Sequence, residues 1–389
     1  MEPFRGETPH ERYHEALERA GLAESELARS WVRAAREALE APVAAVLPKV
    51  EEGRFGPEEP LALGYRFELR RGQRLEASFE AIDRWDPDEP QVFMEIFRVR
   101  GDPDEEDPRL LTLTWSEPSE RVLVHEARAT GTYILRVQPE LLSGGAYRVS
   151  LRTGPGLAFP VEGRDTGAIR STFGAPRDGG RREHHGVDIF APRGTPVLSA
   201  GEGRVSRVSE TSVGGRVVWV RDEERGMSVY YAHLDTQLVE RGARVQAGDT
   251  LGTVGNTGNA RTTPPHLHFG LYVRGEGPVD PWFWLHDPGG SPAPLRVERN
   301  AFREVRHLAE ASGAIRIGPS DRSPALERVE VREPVRIVGG TGTYYRVRLA
   351  DGRQGYASPS SLMLLPEEGP PTLLPLPGTT TDIGSPAGR

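Results

Sequence analysis

Five of the chain's 10 histidines fall between His184 and His268, gathered in three short pieces, and this grouping restricts the fold more than any other feature. The pieces read His184-His185-Gly186-Val187-Asp188, Tyr230-Tyr231-Ala232-His233-Leu234 and Pro265-His266-Leu267-His268-Phe269. To serve one ion, remote segments have to meet. A catalytic zinc takes three protein ligands, imidazole or carboxylate, at roughly 2.0–2.2 Å and keeps a position for water. The third piece alternates polar and apolar, so it reads as a strand with His266 and His268 on one face and Leu267 and Phe269 turned to the core. At roughly 3.3 Å per residue the two histidines stand about 7 Å apart, so one is expected to ligate and the other to stand behind it. His184 and Asp188 would be about 13 Å apart in extended chain. The segment has to bend, and Gly186 is expected to supply the freedom. Any one histidine taken alone is more often structural or exposed than functional, and His185 stands beside His184 as the alternative ligand.

The segment from Gly167 to Leu285 resembles the catalytic domain of the lysostaphin/LytM-type zinc endopeptidases that cut peptidoglycan. The motifs that carry the likeness are H-x-G-x-D at His184–Asp188 and H-x-H at His266–His268. Further landmarks fall in order: Ile169-Arg170-Ser171-Thr172-Phe173-Gly174, Gly194-Thr195-Pro196-Val197, Gly214-Gly215 and Val279-Asp280-Pro281. The resemblance implies one zinc ion per chain held by His184, Asp188 and His268, with His233 and His266 as the catalytic histidines. A metal held in this way lowers the pKa of its water to about 7, and the two remaining histidines would move its proton or steady the oxyanion. Family members that cut glycine bridges carry a tyrosine soon after the aromatic-Gly pair. Here the stretch reads Ala175-Pro176-Arg177-Asp178-Gly179-Gly180-Arg181-Arg182, which favours a D-Ala to diamino-acid cross-link over Gly-Gly. Arg177, Arg181 and Arg182 are either contacts for an acidic stem peptide or a solvated run. Arg177, Tyr231, Asn256 and Thr257 are the expected substrate-binding residues. The competing reading is a catalytically silent, wall-binding or hydrolase-activating member of the same family.

Composition sets the frame. The 389 residues include 45 Gly and 34 Pro with 37% hydrophobic residues, which suits a loop-rich, mainly β multidomain chain. There is no cysteine, hence no disulfide or thiolate site. The net charge of -8 argues against a nucleic-acid partner. Lys49 is the only lysine among 49 basic residues. No apolar run approaches the roughly 20 residues of a membrane span. The reading is of an extracytoplasmic monomer acting on stem and bridge peptides, with its export signal, a lipoprotein-type one being an option, outside this sequence.

Five segments are expected. Residues 1–48 form an N-terminal helical pair, opened by a Thr8–Glu11 capping box with Pro9 at the first helical position. A second helix follows from about Glu24, with Leu27, Trp31, Ala35 and Leu39 as its stripe. Residues 49–154 alternate with period two in short runs such as Tyr65-Phe67-Leu69 and Tyr133-Leu135-Val137, the pattern of a β-sandwich. The acidic run Asp102–Asp107 reads as a solvated hairpin tip. Residues 155–290 form the LytM-type antiparallel β catalytic domain, with 255–265 as a polar loop beside the site. Residues 297–366 resemble an SH3-type small barrel, in which Tyr344 and Tyr356 either grip substrate or pack in the core. Residues 367–389 are rich in Pro, Gly and Thr and are expected to be disordered.

Overall fold

The computed structural model describes residues 6–82, 85, 89–101, 109–309 and 315–364. The acidic run 102–107 and the tail 367–389 therefore lie outside the described residues. Within them the chain is mostly β, with three α-helices.

Helix α1 spans Pro9–Arg19 and helix α2 spans Glu26–Glu40. Both halves of the capping box at Thr8 and Glu11 are made. The second helix starts at the Ser25 cap and buries Ala28, Trp31, Ala34, Ala35 and Ala38, whereas Leu27 and Leu39 are only half-buried. Its contact face is thus rotated from the expected stripe toward small residues, because the helix presses close to the sheet beneath. A Cβ at Gly64 would lie 1.8 Å from the Ala38 carbonyl oxygen. Trp31 anchors the helix by donating its indole N–H to the Pro139 carbonyl at 2.8 Å.

A five-stranded sheet (Val43–Ala44, Leu63–Leu69, Gly131–Pro139, Val92–Arg100, Arg109–Trp115) shares one core with a second, larger sheet. In the larger sheet the strand Lys49–Phe55 lies between Gly145–Pro155 and Pro334–Thr341. The C-terminal β segment therefore continues the sheet begun near residue 49. Val338 and Tyr356 belong to that same core, while a smaller core gathers Val297, Ile315, Ile337 and Val347.

The segment between builds its own core from Leu157 to Leu285 around an antiparallel sheet. Its central strands run Val187–Phe190, His266–Val273, Met227–Gln237, Gly215–Asp222 and Gly203–Thr211, each hydrogen-bonded to the next. It docks on the neighbouring sheet pair through Arg225, whose guanidinium meets Glu126 at 2.7 Å and Asp222 at 2.9 Å. Trp284 fills the space over Gly72, where a Cβ would come within 2.6 Å of the indole.

Candidate active site

Strand register brings the histidine pieces together. Asp188 stands directly opposite His268, and Phe190 opposite His266, on antiparallel neighbours. Cross-strand partners have Cβ atoms about 4.5–5.5 Å apart, close enough for side chains to share a centre. On the other side of the same strand Ala232 faces His268. Leu267 and Phe269 are fully buried beneath. His184 enters just before its strand. It is fixed to segment 172–175 by its own N–H to the Ala175 carbonyl (2.9 Å) and by the Gly174 N–H to its carbonyl (2.8 Å). Gly186 is required for a reason other than the one the spacing suggested. It is not among the positive-φ glycines, but a Cβ there would lie 2.4 Å from the Phe269 carbonyl oxygen. The bend is a matter of close approach.

Three donor atoms converge. His184 Nε2 is 2.9 Å from His268 Nδ1, and each lies 3.0 Å from Asp188 Oδ1. Ligands around a tetrahedral ion at 2.0–2.1 Å lie roughly 3.3 Å apart, within a few tenths of this spacing. The tautomers agree with metal binding. A carbonyl only accepts, so the 2.9 Å contact of His184 Nδ1 with the Thr172 oxygen places the proton there and turns a lone pair on Nε2 toward the centre. All three residues are largely buried, with Asp188 7% exposed. Burial alone would raise the Asp188 carboxyl, yet the His184 and His268 imidazoles beside it hold it far below the usual carboxylate range. Burial lowers His268, opposed by Asp188. The chemistry and spacing of these donors fit a divalent cation.

Two more imidazoles flank the group, each tethered by a backbone carbonyl. His233 Nδ1 donates to Thr257 O and His266 Nδ1 to Pro264 O, both at 2.9 Å. In the neutral rings Nε2 is left as a bare acceptor. His266 Nε2 is 4.0 Å from Asp188 Oδ1, and its ring stacks on Phe190 at 5.0 Å. Burial, then the neighbouring His266 and His268, push His233 down to about 4, so it is neutral at pH 7. His233 reaches this face through a local irregularity. Its φ is +64°, and the register with the next strand shifts between Arg216 and Val218. An inserted residue of this kind re-aims a side chain.

A cavity of about 520 Å³ covers the group, and its walls come only from residues between Arg170 and Tyr272. No described residue of the flanking segments lines it. Its lining includes Arg170, Arg177 and Arg182, and a cluster of Trp219, Tyr230 and Tyr272 whose rings touch one another. Burial, with Tyr272 beside it, raises the Tyr230 phenol to about 12.

The expected substrate contacts are redistributed. Tyr231 is fully buried, and its hydroxyl accepts the Ala200 N–H at 2.8 Å; strand alternation turns it inward and puts Tyr230 in the cavity. Asn256 and Thr257 do not line the cavity. Asn256 bonds to Arg193 and to the Arg261 and Thr263 carbonyls. Thr257 holds His233 through its carbonyl and bonds to Arg216 N–H and the Leu234 carbonyl through its hydroxyl. Arg177 lies in the cavity wall but against Asp188. His185, at the position between ligand motif and glycine, is exposed. Sequence reasoning missed Trp219, Tyr230 and Tyr272. Tyr272 was accessible to it, being four residues beyond His268 on the same strand face.

Residues 182–281, which include all five histidines, match the model of Peptidase family M23. The chain carries a peptidase M23 domain. Over 100 residues it is 41% identical to a Vibrio cholerae protein named peptidoglycan DD-endopeptidase ShyC, covering 26% of this chain and 22% of that one. It is 38% identical over 139 residues to the L-Ala–D-Glu endopeptidase of Bacillus subtilis, covering 34% and 41%. The chain thus spans less than half the length of these relatives. Among solved structures, the catalytic domain of the antimicrobial peptidase lysostaphin from Staphylococcus simulans is similar at 31% identity, covering 28% of this chain and 85% of that one, with a TM-score of 0.26.

Proposed function

We propose that the chain is a zinc metalloendopeptidase that hydrolyses peptide cross-links of bacterial peptidoglycan outside the cytoplasm, acting as a monomer. The observation that carries this reading is the meeting of three donor atoms within 3.0 Å of one another, beside two carbonyl-tethered histidines, under an open cavity. The M23 match and the names of the relatives support it.

His184 Nε2, His268 Nδ1 and Asp188 Oδ1 would hold the zinc. When bound, the ion supplies Lewis acidity toward the scissile carbonyl and lowers the pKa of water. His266 and His233 accept a proton at Nε2 from the attacking water and deliver it to the leaving amine. Their Nδ1 atoms stay fixed on backbone carbonyls, so the rings keep one orientation throughout. Arg170 and Arg182 in the lining suit a carboxylate-bearing stem peptide, and the aromatic cluster suits the flat face of an amide or sugar. A D-Ala to diamino-acid bond is favoured over Gly-Gly, because the stretch 175–182 has no tyrosine where the glycine-bridge cutters carry one. The C-terminal β segment is read as an SH3-type wall-binding unit. Tyr356 is fully buried there, which leaves Tyr344 as the candidate contact.

Incubation with purified sacculi, with and without chelator, tests the reading. Chelator-sensitive release of muropeptides is expected, and mass spectrometry of the fragments identifies the bond cut. Sacculi bound but intact in every condition would establish the silent wall-binding alternative.

A further inference from the structure

The Asp188 carboxylate is shared between two sets of partners. Its Oδ1 faces the two imidazoles at 3.0 Å, while its Oδ2 accepts from a terminal guanidinium nitrogen of Arg177 at 2.6 Å. The same nitrogen lies 2.6 Å from Ser171 Oγ, which in turn lies 3.3 Å from His184 Nδ1. Ser171 is also the strand partner of Asp188. One nitrogen therefore ties together the side chains behind two of the three donors. The Asp188 side chain is 10% exposed and that of Arg177 36%, so the pair faces the cavity but is shielded from bulk water on the carboxylate side.

We propose that Arg177 is a positioning residue for the metal centre, rather than a substrate anchor. This rests on the reading that His184, Asp188 and His268 hold a divalent cation. A free carboxylate can turn to offer one oxygen or both. With Oδ2 held by a charge-assisted hydrogen bond, Asp188 presents Oδ1 alone. One-oxygen ligation would limit the protein to three donor atoms and leave a coordination position for water and substrate. Partners of this outer kind typically change metal affinity by about 10–100-fold when removed. Arg177 belongs to a short hairpin, Pro176–Arg177 with Arg182–Glu183, outside the core, so its replacement leaves the fold in place.

The test is zinc affinity of the full chain, measured by competition with a chromophoric chelator. Arg177→Met should bind zinc about 10–100-fold more weakly than the parent. Arg177→Lys should recover much of the loss, because an ammonium offers three donors to the same two oxygens. Ser171→Ala should weaken binding less, and it should add little further loss in the Arg177→Met background, since Ser171 acts through the same guanidinium nitrogen. Unchanged or tighter binding by Arg177→Met overturns the proposal, as does a lysine variant no better than methionine. Failure of the parent chain to bind zinc would instead overturn the metal-site reading on which it stands.

Discussion

Two of the buried polar clusters among the described residues are built on opposite plans. In the cavity, three histidines fix one ring nitrogen on a backbone carbonyl and keep the other unspent. At Glu51 nothing on the carboxylate is left over. Its Oε1 accepts from the Tyr65 hydroxyl and from Arg346, both at 2.7 Å, and its Oε2 accepts from Tyr356 at 2.5 Å with the Lys49 ammonium 3.2 Å away. Glu51 is fully buried, and Lys49 and Arg346 are nearly so. Burial opposes the charge on Glu51, yet Arg346 and Lys49 keep it down to about 2. The difference separates a site from a joint. A group poised for chemistry retains bonding capacity facing an opening, whereas a joint exhausts it and excludes water.

The contrast is open to direct attack, and His268→Ala should strike hardest. Zinc content should fall to background and turnover with it, checked by metal analysis beside rates on sacculi. His233→Ala should keep the metal and lose about 10²–10⁴ in rate; loss of zinc from this variant would reassign the residue. Glu51→Ala leaves Arg346 and Lys49 facing each other unpaired. It should cost about 3–5 kcal/mol, read from the urea midpoint, while the rate per folded molecule is unchanged.

His10 is a histidine of the sealed kind. It stacks on Trp31 at 4.4 Å and bonds to Gln138 at 2.8 Å. Burial, then Arg136, push it down to about 3 against 6.5 for the free side chain. Between those values the unfolded chain binds the extra proton, so stability present above pH 6.5 is lost as pH falls toward 3. The slope from this one group is about 1.4 kcal/mol per pH unit. Thermal melts of His10→Gln should be flatter over that window. The smallest effect is expected from Lys49→Met. Burial lowers the ammonium's pKa, and Glu51 keeps Arg346, Tyr65 and Tyr356 as partners without it, so the change should be close to neutral by the same urea measurement.

Much of the site was legible in the chain itself. Two motifs specify His184, Asp188, His266 and His268, a third short piece supplies His233, and alternation places His266 and His268 on one face with Leu267 and Phe269 beneath. What alternation could not convey was an interruption of itself. Strict period two puts His233 with Tyr231, and the extra residue at the strand's irregularity puts it with Tyr230 instead. That is why the tyrosine expected at the substrate turned out to be its inward neighbour. The fate of Thr257 was equally hidden, because a carbonyl that aims an imidazole leaves no trace in side-chain identity. In the flanking regions strands such as Leu63–Leu69 and Gly131–Pro139 could be read, but Lys49–Phe55, Pro334–Thr341 and the assembly could not. Pairing of Glu52 with Gly340 and Gly53 with Gly339 joins positions nearly three hundred residues apart, and no local pattern records it.

That long-range pairing governs how the molecule can be dissected. Residues 155–290 have their own core and should survive excision as a fragment. The segments before and after them are not separable in the same way. Truncation after residue 290 would bare the outer backbone edge of Lys49–Phe55 and strip Arg346 and Tyr356 from Glu51, leaving a sticky strand flanked by a stranded anion.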